Sequence, residues 1–213
     1  MKPPRREGGA AGKGHPGMVK KENGEKRSWK PGNVLYPAPP VLVSCGGIKG
    51  WRPNLITVAW AGNICSDPPM LSISVRPERY SHEIIRTTRE FVVNVPAAEQ
   101  ARAVDWCGVV SGRDADKFLG ARLTPAAALK VGPPIVRECP LNIECRLRES
   151  LDLGSHTMFV AEVVAVQVSS GLMDRKGRFR MDRCGLLAYA NGHYFSLGRR
   201  IGHFGFSVRK RRS

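Results

Sequence analysis

Residues 54–88 concentrate most of the side chains that could do chemistry. NLITVAWAG (54–62) reads as a β-branched strand closed by Gly62, and MLSISV (70–75) as another after the Asp67-Pro68-Pro69 turn. RPERYSHEIIRTT (76–88) then sets Arg76 and Arg79 just ahead of Ser81, where a helix over 81–88 is predicted to begin with Ser81 as its N-cap. Two guanidiniums, a hydroxyl and the free N–H groups of a helix N-terminus suit a dianionic phosphate. The same residues read equally well as surface arginines beside a capping serine, and the spacing leaves both readings open.

Other chemistries find little support. The sequence has no G-x-S-x-G, no H-E-x-x-H and no Walker A loop. GGIKG (46–50) is not a dinucleotide fingerprint and opens no helix. The six cysteines include no C-x-x-C pair, so they read as reduced, mostly buried thiols, and no metal site is expected. His156 opens a long apolar run and Cys65 sits in NICSDPP; both are candidates for the acceptor side of a redox site. The blander reading is a hydrogen-bonded histidine at a strand end and a buried thiol.

Strands dominate the elements that must hold these residues. VLVSC (41–45), FVVNV (91–95) and the cleanly alternating LNIECRLRE (141–149) join the two runs above. MFVAEVVAVQVS (158–169) is almost all apolar, which predicts a central strand buried on both faces. LLAYA-NG-HYFSL (186–197) carries Asn-Gly between two runs, the strongest short hairpin signal. Helices are predicted at 81–88 and 97–112, with a shorter turn near 114–119. The pattern is mainly β, a barrel decorated by a few helices.

Composition narrows the class. A chain of 213 residues that is 42% hydrophobic and 24% charged is globular rather than wholly disordered, and no run is long enough to cross a membrane as a helix. The net charge is +16, but it is concentrated at the ends. Residues 1–30 carry nine Lys/Arg against three acids, and 199–213 carry six Lys/Arg and none. Residues 1–30 read as a disordered basic leader and 209–213 as a basic tail, with weak, salt-sensitive attraction to polyanions. A cytoplasmic protein is expected, since the opening residues lack the apolar core of a secretory signal.

The run NLITVAWAGNICSDPPMLSISVRPERYSHEIIRTTREFVVNVP resembles the flavin reductase-like family of FMN-binding split barrels, especially its flavoredoxin branch. SGRDADKF (111–118), GSHTMFVAEVV (154–164) and YFSLGRRIGHFGFSV (194–208) follow in matching order, so the resemblance spans 31–208. It implies a six-stranded Greek-key antiparallel barrel that is homodimeric and holds FMN. The implied phosphate loop falls on Arg76, Arg79, Tyr80 and Ser81. The implied ring site falls on Thr57, Ala59, Trp60, Ala61 and Gly62, with Asn54 near and Lys117 adding positive charge. Read from the residues alone, Trp60 is as readily core, Asn54 a strand start and Lys117 a solvated helix residue. The implied activity is an FMN-dependent oxidoreductase with NAD(P)H as donor and a small molecule or partner enzyme as acceptor. The alternative is an electron carrier with tightly bound FMN. In either case the cofactor carries the chemistry and the protein supplies orientation and electrostatics.

Overall fold

The structure, a computed structural model, describes Gly24 and residues 26–208. Of the basic leader at 1–30 only Gly24 and 26–30 are therefore described, and the tail at 209–213 lies outside the described residues. Chain contacts set Val34–Ser213 apart as a unit, and every element below belongs to it.

Among its described residues are eleven strands and three α-helices. In chain order they are β1 (Val41–Cys45), β2 (Asn54–Val58), β3 (Ala61–Ser66), β4 (Pro69–Val75), α1 (Tyr80–Thr88) and β5 (Glu90–Val95). Then come α2 (Ala101–Val109), α3 (Lys117–Ala121), β6 (Pro125–Ala126), β7 (Ile135–Val136), β8 (Leu141–Asp152), β9 (Thr157–Val168), β10 (Leu187–Ala190) and β11 (His193–Ser196). Seven strands form one antiparallel sheet in the order β2-β1-β5-β8-β9-β4-β3. Its two edges, β2 and β3, are consecutive in the chain with only Ala59 and Trp60 between them, so the sheet curls until its edges share one bent strand. Taken as one run, β2 and β3 carry the strand read at 54–62 past Gly62 to Ser66, and the barrel then counts six.

The interior of the curl is closed by Val43, Cys45, Ile73, Phe91, Cys145, Phe159 and Ala161, with Ile84 and Ile85 of α1 plugging one end. A second core lies between the other face of β1 and β2, through Leu42 and Leu55, and Val104, Cys107, Phe118 and Val136. The two cores exist because α2 and α3 cover a face that β1 and β2 turn away from the barrel. The hairpin read at 186–197 forms as β10 and β11, with Asn191 and Gly192 both at positive φ.

Two readings need correction. In β9 only alternate residues are fully buried, Thr157, Phe159 and Ala161, while Val160, Val164 and Val166 are partly or well exposed. Among the described residues, one layer packs inside the barrel against the strand, and its outer face at Met158, Val160 and Glu162 stays partly exposed. Helix α2 also starts later and stops sooner than 97–112: residues 98–100 form a 3₁₀ turn and Val110 is already extended.

Among the described residues no helix is long and apolar enough to cross a membrane. A fully buried amide knits the sheet to the outer layer. Asn94 Nδ2 donates to Leu42 O and Ser44 Oγ, each at 3.0 Å, while its Oδ1 accepts from Val136 N and Asn142 Nδ2, each at 2.8 Å. Replacement by alanine strands those groups away from water. Asn94→Ala is expected to lower unfolding free energy by roughly 2–4 kcal/mol in urea denaturation, with an unchanged m-value.

Candidate functional site

The bend at Ala59–Trp60 opens a two-part cleft between the barrel and α2. One compartment, about 380 Å³, is lined on its aromatic side by Tyr36, Trp60, His156, Tyr189 and Tyr194, with Thr57, Ala59 and Arg76. The other, about 320 Å³, is lined by Asn54, Tyr80, Ser81, Ser111, Gly112 and Lys117. Ile56, Arg79 and Gly108 belong to both walls, so the compartments adjoin.

The polar compartment is built by three short elements. Pro77 and Glu78 end the extended chain after β4, and α1 begins with Arg79 as its N-cap. Ser81 is thus not the cap but lies in the first turn, where Asn54 Nδ2 donates to its Oγ at 2.8 Å. The structure prefers this because Ser81 is buried against β2 and bonds across to it instead of back onto its own helix. Across the space, Asp116 caps α3 by accepting from Leu119 N at 3.0 Å, which makes Lys117 the first helical residue. Its side chain runs inward, only 4% exposed, and Nζ donates to Cys107 O at 2.6 Å.

Burial costs the ammonium its hydration, and this pulls the Lys117 pKa down to about 8, with Arg79 pushing the same way. The neighbouring thiols shift oppositely. Burial lifts Cys45 to about 12 and Cys107 to about 11, so both stay protonated and unreactive at neutral pH. A buried cation facing a hydroxyl, an amide and the first turn of a nine-residue helix is an environment shaped for an anion.

The aromatic compartment is set by close backbone approach. Thr57 Oγ1 donates to Val104 O, tying α2 onto β2, and a Cβ on Gly108 would stand 3.4 Å from the Thr57 side chain. Trp60 is 39% exposed, and its ring centroid lies 4.4 Å from that of His156. Ser155 Oγ lies 2.9 Å from His156 Nδ1. Partial burial, and then Arg76, hold His156 below the ordinary imidazole pKa, which favours the neutral ring. Tyr194 is pushed up to about 12 by burial and by Asp105, and so remains a neutral phenol.

The structure thus gathers Asn54, Thr57, Ala59, Trp60, Arg76, Arg79, Tyr80, Ser81, Lys117 and His156 around one cleft. Arg76 lies in the aromatic part and not in the polar one, paired with Glu78 at 3.6 Å on the surface. Ala61 and Gly62 continue into β3 and line neither part. Cys65 is exposed, bonded to Asp67 O, and away from both compartments. Sequence reading did not single out Tyr36, Asp105, Gly108, Tyr189 or Tyr194. The Asn-Gly turn announced the hairpin that bears the last two, but nothing local says that this hairpin folds over the cleft.

A curled antiparallel barrel in which a cleft joins an aromatic compartment to a cationic one defines the class of the split-barrel proteins. The flavin reductase like domain matches residues 34–198, and the chain belongs to that family of flavin-dependent oxidoreductases. Flavoredoxin of Desulfovibrio vulgaris (Miyazaki F) superposes with a TM-score of 0.80 at 28% identity, covering 87% of this chain and 100% of its own. The FMN-binding protein from Thermus thermophilus superposes at 0.71, also 28% identical, covering 84% of this chain and 99% of its own. The reductase component of a 4-nitrophenol 4-monooxygenase/4-nitrocatechol 2-monooxygenase from Rhodococcus opacus is 30% identical over 125 residues, 58% of this chain and 64% of the relative.

Gly112 shows how little slack the polar compartment has. A Cβ there would fall 2.1 Å from Asn54 Oδ1, and Asn54 is the residue that holds Ser81. Gly112→Ala is expected to destabilise the fold by about 1–3 kcal/mol, read by thermal or urea unfolding. Gly62→Ala, with nothing within 4 Å of its added methyl, should stay close to the parent.

Proposed function

We propose that this chain is an FMN-dependent flavin reductase that draws on NAD(P)H and serves a small acceptor or a partner enzyme. The observation that carries the reading is the pairing of an aromatic compartment with a pocket holding a buried cation across one shared wall. FMN has the same two ends, a planar ring and a phosphate dianion. The fit rests on Lys117, a buried ammonium whose bonded partner is a neutral carbonyl, and on Gly108 and Gly112, where side chains would fill the space.

In this reading Lys117, Arg79, Ser81 and the first-turn N–H groups of α1 hold the phosphate. Tyr80 and Asn54 brace that end, Asn54 by keeping the Ser81 hydroxyl in place. Thr57, Ala59 and Trp60 border the ring along the strand bend, with Ala61 and Gly62 as its continuation. When bound, FMN supplies hydride acceptance from the nicotinamide and electron release to the acceptor. Arg76 and His156, at the open side, orient whatever enters against the ring, and the tyrosines of β10 and β11 exclude water from that side. Cys65 has no part in this arrangement.

The likeness to flavoredoxin favours a second reading, an electron carrier with tightly held FMN and no NAD(P)H turnover of its own. Steady-state NAD(P)H oxidation, with and without added FMN, separates the two. Turnover supports the reductase; flavin that is reduced only by a protein donor supports the carrier. The outer face of β9, where Met158 and Val160 lie beside Glu162, suits the contact surface of a homodimer.

The protein should retain FMN through desalting, with visible flavin bands. Lys117→Met should weaken FMN binding roughly ten- to hundredfold, the worth of one charge-assisted hydrogen bond. Unchanged affinity in both Lys117→Met and Arg79→Ala would remove the phosphate assignment.

Binding should also depend on pH. In the free cleft Lys117 is charged below its pKa of about 8 and neutral above it, whereas the phosphate holds the charged form. FMN affinity should therefore be level from about pH 7 to 8, where the phosphate is already a dianion, and fall by up to roughly tenfold per pH unit above that. Fluorescence titration from pH 7 to 9.5 measures this, and Lys117→Met should flatten the decline.

A further inference from the structure

Ser81–His82 in α1 and His156–Thr157 at the start of β9 are adjacent pairs with a common design. One member of each pair, Ser81 or His156, lines the cleft. The other member turns away, and the two that turn away meet. His82 Nε2 lies 2.9 Å from Thr157 Oγ1, and Thr157 Oγ1 donates to Asp152 Oδ1 at 2.8 Å. His82 and Thr157 are 7% and 3% exposed, so water does not readily replace the bond between them, while Asp152 accepts from Thr157 at the exposed end of β8.

Resting on the reading that the cleft takes FMN, we infer that His82, Thr157 and Asp152 form a positioning relay that sets the spacing between the phosphate-binding turn of α1 and the β8–β9 turn that presents His156 to the ring.

The polarity of the relay follows from its members. A carboxylate only accepts, so the Thr157 hydroxyl spends its one proton on Asp152. Its oxygen can then bond His82 only by accepting, and His82 must carry its proton on Nε2. The relay therefore runs in one sense, from helix to threonine to turn. Each end is rigid for its own reason. The His82 ring rests against Phe159 in the barrel interior, with centroids 5.2 Å apart. Thr157 stands opposite both Asp152 of β8 and Val75 of β4, and Val75 lines the aromatic compartment. Between Asp152 and Thr157 the chain reverses through Gly154 at φ +85°, closed by Leu153 N donating to His156 O at 2.8 Å. His156 thus hangs from a short turn whose base is held by the relay, and its ring meets Trp60 at the other side.

His82, Thr157 and Asp152 are positioning residues: none lines either compartment. Cutting the relay frees the turn bearing His156 while Arg79, Ser81 and Lys117 stay in place. The consequence is a selective one, in which phosphate anchoring survives and ordering at the ring end is lost.

The test is imidazole nitrogen NMR on the full chain, free and FMN-loaded, for wild type, Thr157→Val, Thr157→Ser and His82→Leu. The expected result is a neutral His82 with its proton on Nε2. In Thr157→Val the His156 resonances should shift and the visible circular dichroism of bound FMN should change, while FMN affinity stays within about threefold. Thr157→Ser, which keeps the hydroxyl, should restore both signals. In turnover, KM for the nicotinamide should rise about tenfold in Thr157→Val with a smaller change in kcat, the signature of lost orientation. His82→Leu cuts the relay from the helix side and should reproduce the His156 shift, which covers a Thr157→Val that does not fold. A His82 protonated on Nδ1 alone overturns the relay, as do His156 resonances unmoved in the folded variants. A wild type that binds no FMN, or oxidises no NAD(P)H, defeats the preceding functional reading instead, and the nitrogen spectra still decide the relay.

Discussion

The chain crosses from one edge of its main sheet to the other within two residues, Ala59 and Trp60. Nearly everything else follows from that crossing. Because β2 and β3 are the two sheet edges, their junction bends the sheet round on itself and leaves an opening where the bend is sharpest. At the bend Trp60 O still accepts from Ser74 N of β4 at 2.9 Å, while Ala59 and Trp60 line the cleft. Trp60, carried at the bend, stays partly exposed and meets the His156 ring at a 49° tilt instead of entering the core. Helix α2 closes the opening from outside as far as Gly108, where an added Cβ would stand 3.4 Å from the Thr57 side chain.

The electrostatics of the cleft divide along the same line. At the polar end a lysine is driven indoors by the cap of its own helix, and burial leaves it easily neutralised unless an anion arrives. At the aromatic end His156 and Tyr194 are held neutral, which suits contacts with a flat, weakly polar ring. Burial raises the thiols beneath the polar end well above neutral pH, so neither is a nucleophile there. The chain's own contribution is thereby one of binding and placement.

Much of this was legible in the sequence where a signal is local. The alternation in 141–149 declared β8, the Asn191-Gly192 pair declared the β10–β11 hairpin, and Arg76 to Ser81 declared a turn into a helix. Lys117 was visible as part of the SGRDADKF run, yet as a residue type it reads most simply as solvated. Its burial depends on Asp116 capping α3 and on Cys107 O lying across from it, a contact between positions ten residues apart. Tyr189 and Tyr194 join the cleft because their hairpin is held by positions far away in the chain, Tyr189 by Ala38 and Leu186 by Ala97. The apolar run in β9 overstated its burial, because hydrophobicity records what a strand can bury and not how many layers the chain provides.

What the sequence determined by itself is the set of elements and the chemical types available, because periodicity, caps and turn residues act over a few positions. It also carried the resemblance that located the family. The tertiary structure alone decided which of those residues meet. It placed Arg76 with the aromatics, left Cys65 outside, and joined His82 to Thr157 across the helix–sheet boundary. The reason is physical: the direction in which a side chain points is set by strand register and helix phase against distant partners, and no local window contains those partners.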